Sequence, residues 1–264
     1  MTAPATPAAL TAIALAAARA AAEVARRGHR TRPALTHKGR TDVVTEYDLA
    51  SEAVLRERLA EATPDIPVVG EEAGGTAGPD RVWYVDPLDG TTNFAHGHPC
   101  WCVSVGLAER GVPLVGAVVA PSLGVEWSGW TAAGGGAAQR DGVPIRTSDV
   151  SALVDALLAT GFPQDRETAP DNNFAAWARV KRAAQGVRRC GSAALDLCFV
   201  ADGTYDGYWE RRLHAWDVTA GAALVRAAGG RVTALDGGEL DLERGYLVAT
   251  NGRLHDALVA LVRD

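Results

Sequence analysis

Asp86 and Asp89 stand three positions apart in the run Trp83-Tyr84-Val85-Asp86-Pro87-Leu88-Asp89-Gly90-Thr91-Thr92-Asn93-Phe94. The apolar stretch Val82–Val85 reads as a strand that delivers Asp86. Pro87 lacks an N–H and ends the ladder there. Gly90 permits an unusual backbone angle in the tight turn that presents Asp89. Thr91 or Thr92 then caps a short helix. This places two carboxylates beside the positive end of a helix, whose free N–H groups can hold a phosphate. Carboxylate and phosphate oxygens together make a hard, all-oxygen setting that suits magnesium.

Two further acidic spots are candidate partners. Gly70-Glu71-Glu72 follows a short strand, and Asp217 opens a helix in Trp216-Asp217-Val218-Thr219-Ala220-Gly221. If Glu71, Asp86, Asp89 and Asp217 converge, each close pair repels by roughly 1–4 kcal/mol at effective dielectrics of about 80 to 20. Bound cations are the simplest relief. Two metals about 3.5–4 Å apart can clamp an in-line displacement, one lowering the pKa of a water and the other stabilising the leaving oxygen.

These motifs, with Asp42-Val43-Val44-Thr45 running on to Asp48, resemble the inositol monophosphatase family in kind and in order, from Lys38 to Gly230. The resemblance implies an α+β fold, a layered αβαβα sandwich of the inositol monophosphatase and sugar phosphatase type, and a homodimer. It implies two to three Mg2+ ions per site. Glu71, Asp86 and the Leu88 carbonyl are expected at the first, Asp86, Asp89 and Asp217 at the second, and Glu71 at a weaker third. The N–H groups of Gly90 and Thr91 are expected to hold the phosphate. Thr91, bonded to Asp48, is expected to orient the attacking water together with Glu71. Ala193 is expected against the substrate ring, Glu210 on a substrate hydroxyl, and Lys38, or His37 in its place, near phosphate and metals. The implied reaction is hydrolysis of a small polyol or sugar phosphate, inositol 1-phosphate foremost, by metal-activated water, with lithium inhibition. Fructose 1,6-bisphosphate and histidinol phosphate are alternative substrates, and a non-catalytic binding relative is the alternative of another class. A fork from Arg211 and Arg212 could serve a second phosphate.

Plainer readings exist for several of these residues. Asp86 and Asp89 could end a strand and cap a helix. Thr45-x-x-Asp48 resembles a capping box, which is compatible with a bond to Thr91. Asp217 could be a first-turn acid favoured by the helix dipole. Glu72 reads as a solvated loop residue, His214 as a half-buried structural one, and His96 and His98 carry no assigned chemistry. Cys100, Cys102, Cys190 and Cys198 form no C-x-x-C and read as buried thiols, in keeping with a reducing compartment. The aspartyl-phosphate phosphatases carry D-x-D-G-T, whereas here two residues separate the aspartates, which favours direct attack by water.

The elements that must position these residues follow from patterning. Helices are expected over 8–27 and Glu46–Ala62, then near Asn172–Ala184, Ser192–Ala201 and Ala215–Ala227, with a last one from Leu254. Strands are expected at Ile66–Val69, Val103–Leu107, Leu114–Val119 and Val125–Trp130, the last three antiparallel, with Ala133–Gly142 a glycine-rich turn region. Further strands fall at Leu153–Ala159, Val187–Arg189, Tyr205–Trp209, Arg231–Ala234 and Tyr246–Thr250. One domain over 1–264 is expected, with subdomains of about 1–148 and 149–264. The net charge of -6 in 264 residues argues against nucleic-acid and anionic-membrane partners. Ala8–Ala22 lacks the basic lead of a signal peptide, no run reaches the length of a membrane span, and the protein reads as cytoplasmic.

Overall fold

The computed structural model describes residues 6–132 and 135–263. Its first part contains α1 (Pro7–Gly28), β1 (Thr36–His37), β2 (Val43–Val44), α2 (Glu46–Ala62), β3 (Val68–Gly70) and β4 (Arg81–Asp89). Then come α3 (Thr91–Ala95), β5 (Cys102–Glu109), β6 (Val112–Ala120), β7 (Val125–Ala132), β8 (Gly135–Arg140) and β9 (Val143–Pro144). The remainder is β10 (Leu157–Thr160), α4 (Phe174–Ala183), β11 (Gly186–Arg188), α5 (Ala193–Ala201), β12 (Gly207–Glu210), α6 (Ala215–Ala227), β13 (Arg231–Thr233), β14 (Leu247–Thr250) and α7 (His255–Val262).

Strands β3 to β9 form a seven-stranded sheet in chain order, and a five-stranded sheet has the order β11-β10-β12-β14-β13. Strand β3 runs parallel to β4, and the neighbours from β4 onward are antiparallel. Alternation sorts side chains to the two faces of each sheet. Val103, Val105 and Leu107 face α1 and α2, while Cys102 and Ala108 face α5 and α6. In the second sheet Ala159, Tyr208 and Ala249 join that same middle layer, and Leu158, Trp209 and Val248 face α4 and α7. The result is the expected αβαβα sandwich, with α5 and α6 between the sheets. Burying each large core side chain contributes about 1.5–3 kcal/mol.

Several elements differ from the sequence reading. Residues 135–140 pair with β7 as a strand; this partner overrides the weak intrinsic preference of glycine and alanine. Ala133 and Gly134 of that expected turn region lie outside the described residues. Leu153–Asp155 is a 3-10 turn, so the strand begins only at Leu157. Strand β4 does not stop at Pro87 but continues to Asp89. The register shifts between Asp86↔Ser104 and Asp89↔Cys102, a bulge that absorbs the proline. Helix α1 is long and apolar enough to cross a membrane by length and composition, contrary to the reading that no run approaches a span. Here its stripe of Leu10, Ala14, Ala17, Ala18 and Ala21 packs in one cluster with α2 and the first sheet.

Helix α6 lies unusually close to the sheet. A Cβ added at Gly116 would stand 2.2 Å from the Ala220 carbonyl oxygen, and one at Gly106 would stand 2.5 Å from the Ala220 nitrogen. The absence of side chains there lets the helix backbone settle on the strands and fixes the position of Asp217 at its start. Gly116→Ala is therefore expected to destabilise the protein by about 1–3 kcal/mol through overpacking. Urea unfolding checks this; an unchanged midpoint and slope would contradict the close approach.

Candidate active site

The bulged end of β4, the first turn of α3, the turn after β3, the start of α5, the end of β12 and the start of α6 meet at one cleft of about 540 Å3. Glu71, Asp86, Leu88, Asp89, Gly90, Thr91, Ala193, Glu210 and Asp217 all line it. Acids from distant parts of the chain are thus brought together. Lys38 and Asp48 do not line the cleft; each reaches it through a neighbour.

The turn at Asp89 depends on backbone geometry. Gly90 has φ 96° and is itself the N-cap of α3, so neither threonine caps the helix and Thr91 is its first residue. A Cβ at Gly90 would lie 2.9 Å from the Cys100 carbonyl oxygen and 3.2 Å from that of Gly191. The Thr91 hydroxyl lies 2.9 Å from Asp48 Oδ1 and 3.1 Å from the Leu88 carbonyl oxygen. Asp48 is fully buried and also accepts the Thr45 N–H at 2.8 Å, so the capping-box and Thr91 readings hold together.

Each of the four acids has one oxygen on a protein donor. Asp86 Oδ1 accepts the Leu88 N–H at 2.9 Å, and Asp217 Oδ2 accepts the His214 N–H at 2.7 Å. Asp89 Oδ2 accepts from Ser192 Oγ and from the Ala194 N–H, both at 2.7 Å. Glu71 Oε1 is 3.1 Å from Lys38 Nζ, which also meets Glu72 at 2.6 Å. Glu72 is therefore not the solvated loop acid that the sequence suggested, because its side chain is only 6% exposed. Among the described residues no three acidic, histidine or cysteine side chains are already closed into a metal cage.

Burial pushes the Glu71 carboxyl up to about 7, with Lys38 pulling it down and Glu72 pushing it further up. Burial, then repulsion from Glu71, Asp89 and Asp217, holds Asp86 well above the ordinary carboxylate range. Burial and repulsion from Asp89 and Glu71 do the same to Asp217. Asp89 is raised by burial, against the bonds from Ser192 and Ala194. Glu210, raised by burial to about 7, accepts a hydrogen bond from the Tyr208 hydroxyl.

Other expectations change. Arg211 donates to the Val262 carbonyl oxygen at 2.7 Å, and Arg212 pairs with Asp165 at 2.6 Å. Both residues line the cleft, and their guanidinium groups are engaged with these partners, which removes the free fork suggested for a second phosphate. His214 stacks on Trp216 at 4.6 Å, and its backbone N–H donates to Asp217. Ser192 and Asn93 were assigned no role from sequence. Ser192 fixes Asp89, and Asn93 Nδ2 ties the carbonyls of Cys100 and Cys190 at 2.6 and 2.7 Å. The only signal for either was its place inside a motif.

A layered αβαβα sandwich with such an acid-walled cleft defines a hydrolase of the phosphatase class. The model of the "Inositol monophosphatase family" matches residues 7–264. An inositol-1-monophosphatase of Synechocystis sp. is 44% identical over 227 residues, covering 85% of this chain and 78% of that one. The Nus factor SuhB of Pseudomonas aeruginosa is 38% identical over 259 residues, covering 95% and 94%. The solved inositol monophosphatase of Anabaena (Nostoc) sp. superposes with a TM-score of 0.85 at 44% identity, covering 96% of this chain and 94% of that one. The chain belongs to the inositol monophosphatase family, and it is a phosphatase of phosphate monoesters.

The raised acids give a signed expectation. Burial pushes Glu71 from its ordinary 4.5 up to about 7, so the native state keeps protons that the unfolded chain has released. Stability from this cluster is present at low pH and is lost as pH rises through that window. A divalent cation needs deprotonated carboxylates and reverses the trend. The melting temperature in excess magnesium minus that in excess chelator should therefore widen from about pH 5 to about pH 8. A gap that is constant across this range would contradict it.

Proposed function

We propose that this cleft hydrolyses a small polyol phosphate in a magnesium-dependent reaction, with inositol 1-phosphate as the substrate class member it fits best. The observation that carries the reading is the sharing of one cleft by Glu71, Asp86, Asp89 and Asp217, next to a Thr91 hydroxyl held on buried Asp48. The donor set fits magnesium, since these carboxylates and the Leu88 carbonyl are hard oxygen ligands. Glu71, Asp86 and Leu88 would hold one ion, Asp86, Asp89 and Asp217 a second, and Glu71 a weaker third. When bound, the ions would supply positive charge to the phosphate and lower the pKa of a nearby water.

The chain's own residues supply the rest. The N–H groups of Gly90 and Thr91 bind phosphate oxygens at the start of α3. Thr91 donates its hydroxyl hydrogen to Asp48, which leaves its oxygen to accept from a water. Glu71 is the second acceptor for that water. As the water oxygen bonds to phosphorus it gives one proton to Glu71, the ester bond to the polyol oxygen breaks, and that proton passes through solvent to the alkoxide, leaving hydrogen phosphate and free polyol. No phospho-enzyme forms. Ala193 leaves room for a ring, and Glu210 accepts from a ring hydroxyl. Lys38 holds Glu71 and Glu72 at the rim. The cleft volume is within the roughly 300–1,000 Å3 of small-molecule sites. With its four free thiols the chain is read as a cytoplasmic protein, and from the family as a homodimer.

A phosphate-release panel over inositol, glycerol, histidinol, fructose and adenosine phosphates tests the reading. Inositol 1-phosphate should be cleaved fastest, and lithium should inhibit. Asp89→Asn and Thr91→Val should each lower kcat by about 100-fold or more, the first by removing an ion-holding carboxylate and the second by misplacing the attacking water. Two relatives bear the name Nus factor, so a binding role without turnover is the competing outcome. No magnesium-dependent release from any phosphate, by wild type or variant, would favour it.

A further inference from the structure

Helix α2 touches the cleft at more than Asp48. Asp48, Ser51 and Glu52 are all buried, and their spacing sets them on one helical face. Asp48 meets Thr91, and the Ser51 hydroxyl donates to the Pro87 carbonyl at 2.8 Å. Glu52 reaches the turn that carries Glu71. Its Oε2 accepts the Glu72 N–H at 2.7 Å and its Oε1 the Ala73 N–H at 3.0 Å. One turn further along, Arg56 donates to Glu52 Oε1 at 2.7 Å and to the Val68 carbonyl at 3.2 Å, and it also meets the Gly74 carbonyl. The Gly70 N–H closes the turn on the Gly74 carbonyl at 2.9 Å. A Cβ at Gly70 would stand 2.6 Å from the Glu52 carboxyl, so the strand end fits the acid only as glycine.

Glu52 thus takes the N–H groups of Glu72 and Ala73, and Arg56 the carbonyls of Val68 and Gly74, on either side of Glu71. Glu71 lies inside that bracket. Its own side chain is 24% exposed and, among the described residues, hydrogen-bonds to Lys38 Nζ alone, at 3.1 Å. What fixes its Cα is the bracket below it.

We propose that Glu52, braced by Arg56, is a positioning residue that holds Glu71 at the distance needed to share a divalent cation with Asp86. The proposal rests on the metal-dependent reading above. The pair does not meet substrate: neither residue lines the cleft. Its loss should therefore weaken cation binding and leave substrate binding alone.

The test uses the full-length protein, stripped of metal and titrated with manganese by calorimetry, beside magnesium-dependent phosphate release. Glu52→Gln is expected to weaken manganese binding by about 10-fold, the scale seen when a group supporting a metal ligand is removed. The magnesium concentration for half-maximal rate should rise in step, while KM for inositol 1-phosphate at saturating magnesium stays within about 2-fold. Arg56→Lys should act in the same direction, and it carries the test if Glu52→Gln does not fold. Thr63→Val provides the comparison. It removes the bond from Trp83 Nε1 at 2.9 Å near the end of the same helix, and it should lower stability without changing manganese affinity. Manganese affinity within about 2-fold of wild type in the Glu52 and Arg56 variants would overturn the proposal while leaving the reaction intact. A wild type that binds no manganese would end both.

Discussion

Carboxylates that repel one another are packed at one point of the molecule, and the protein must hold them there. Asp86 is only 1% exposed and Asp89 8%, so water does little to screen them. The cost is met locally by giving each acid a donor: Leu88 for Asp86, Ser192 and Ala194 for Asp89, His214 for Asp217 and Lys38 for Glu71. These bonds stabilise the charged forms and orient the side chains. They do not cancel the burial and the mutual repulsion that together make Asp86 and Asp217 hold their protons well above the ordinary carboxylate range.

The layers explain how such a grouping is possible. Asp86 and Asp89 ride on the strand next to the edge of one sheet, Asp217 on a helix pressed against that sheet, and Glu210 on a strand of the other sheet. Helix α5 joins them, because its first turn donates to Asp89 while its buried side chains fill the core between the sheets. The middle layer is therefore both core and scaffold for the cleft, and errors in packing there move its acids.

Much of this was legible in the sequence, for a physical reason. Asp86, Asp89, Glu71 and Asp217 sit in short segments whose proline, glycine and strand signals declare a turn or a helix start. The αβαβα layering followed from the same segments through the family resemblance. What was not legible depended on partners distant in the chain. Strand β8 is poor in strand-formers and exists because β7 lies beside it. Ser192 and Asn93 look like ordinary polar residues until the fold brings Asp89 and the two carbonyls to them. Arg211 and Arg212 looked like a substrate fork, but Val262 and Asp165, far along the chain or across a loop, had already engaged them.

Strand β3 is short and forms the margin of the larger sheet, with only β4 beside it. Asp86 and Asp89 belong to the close-packed interior, where a small shift disturbs many neighbours. Glu71 belongs to the border, on a turn whose conformation is set by a few residues of one helix. Descendants of this chain can therefore retune the outermost wall of the cleft by small changes at that border while the deeper acids stay in place.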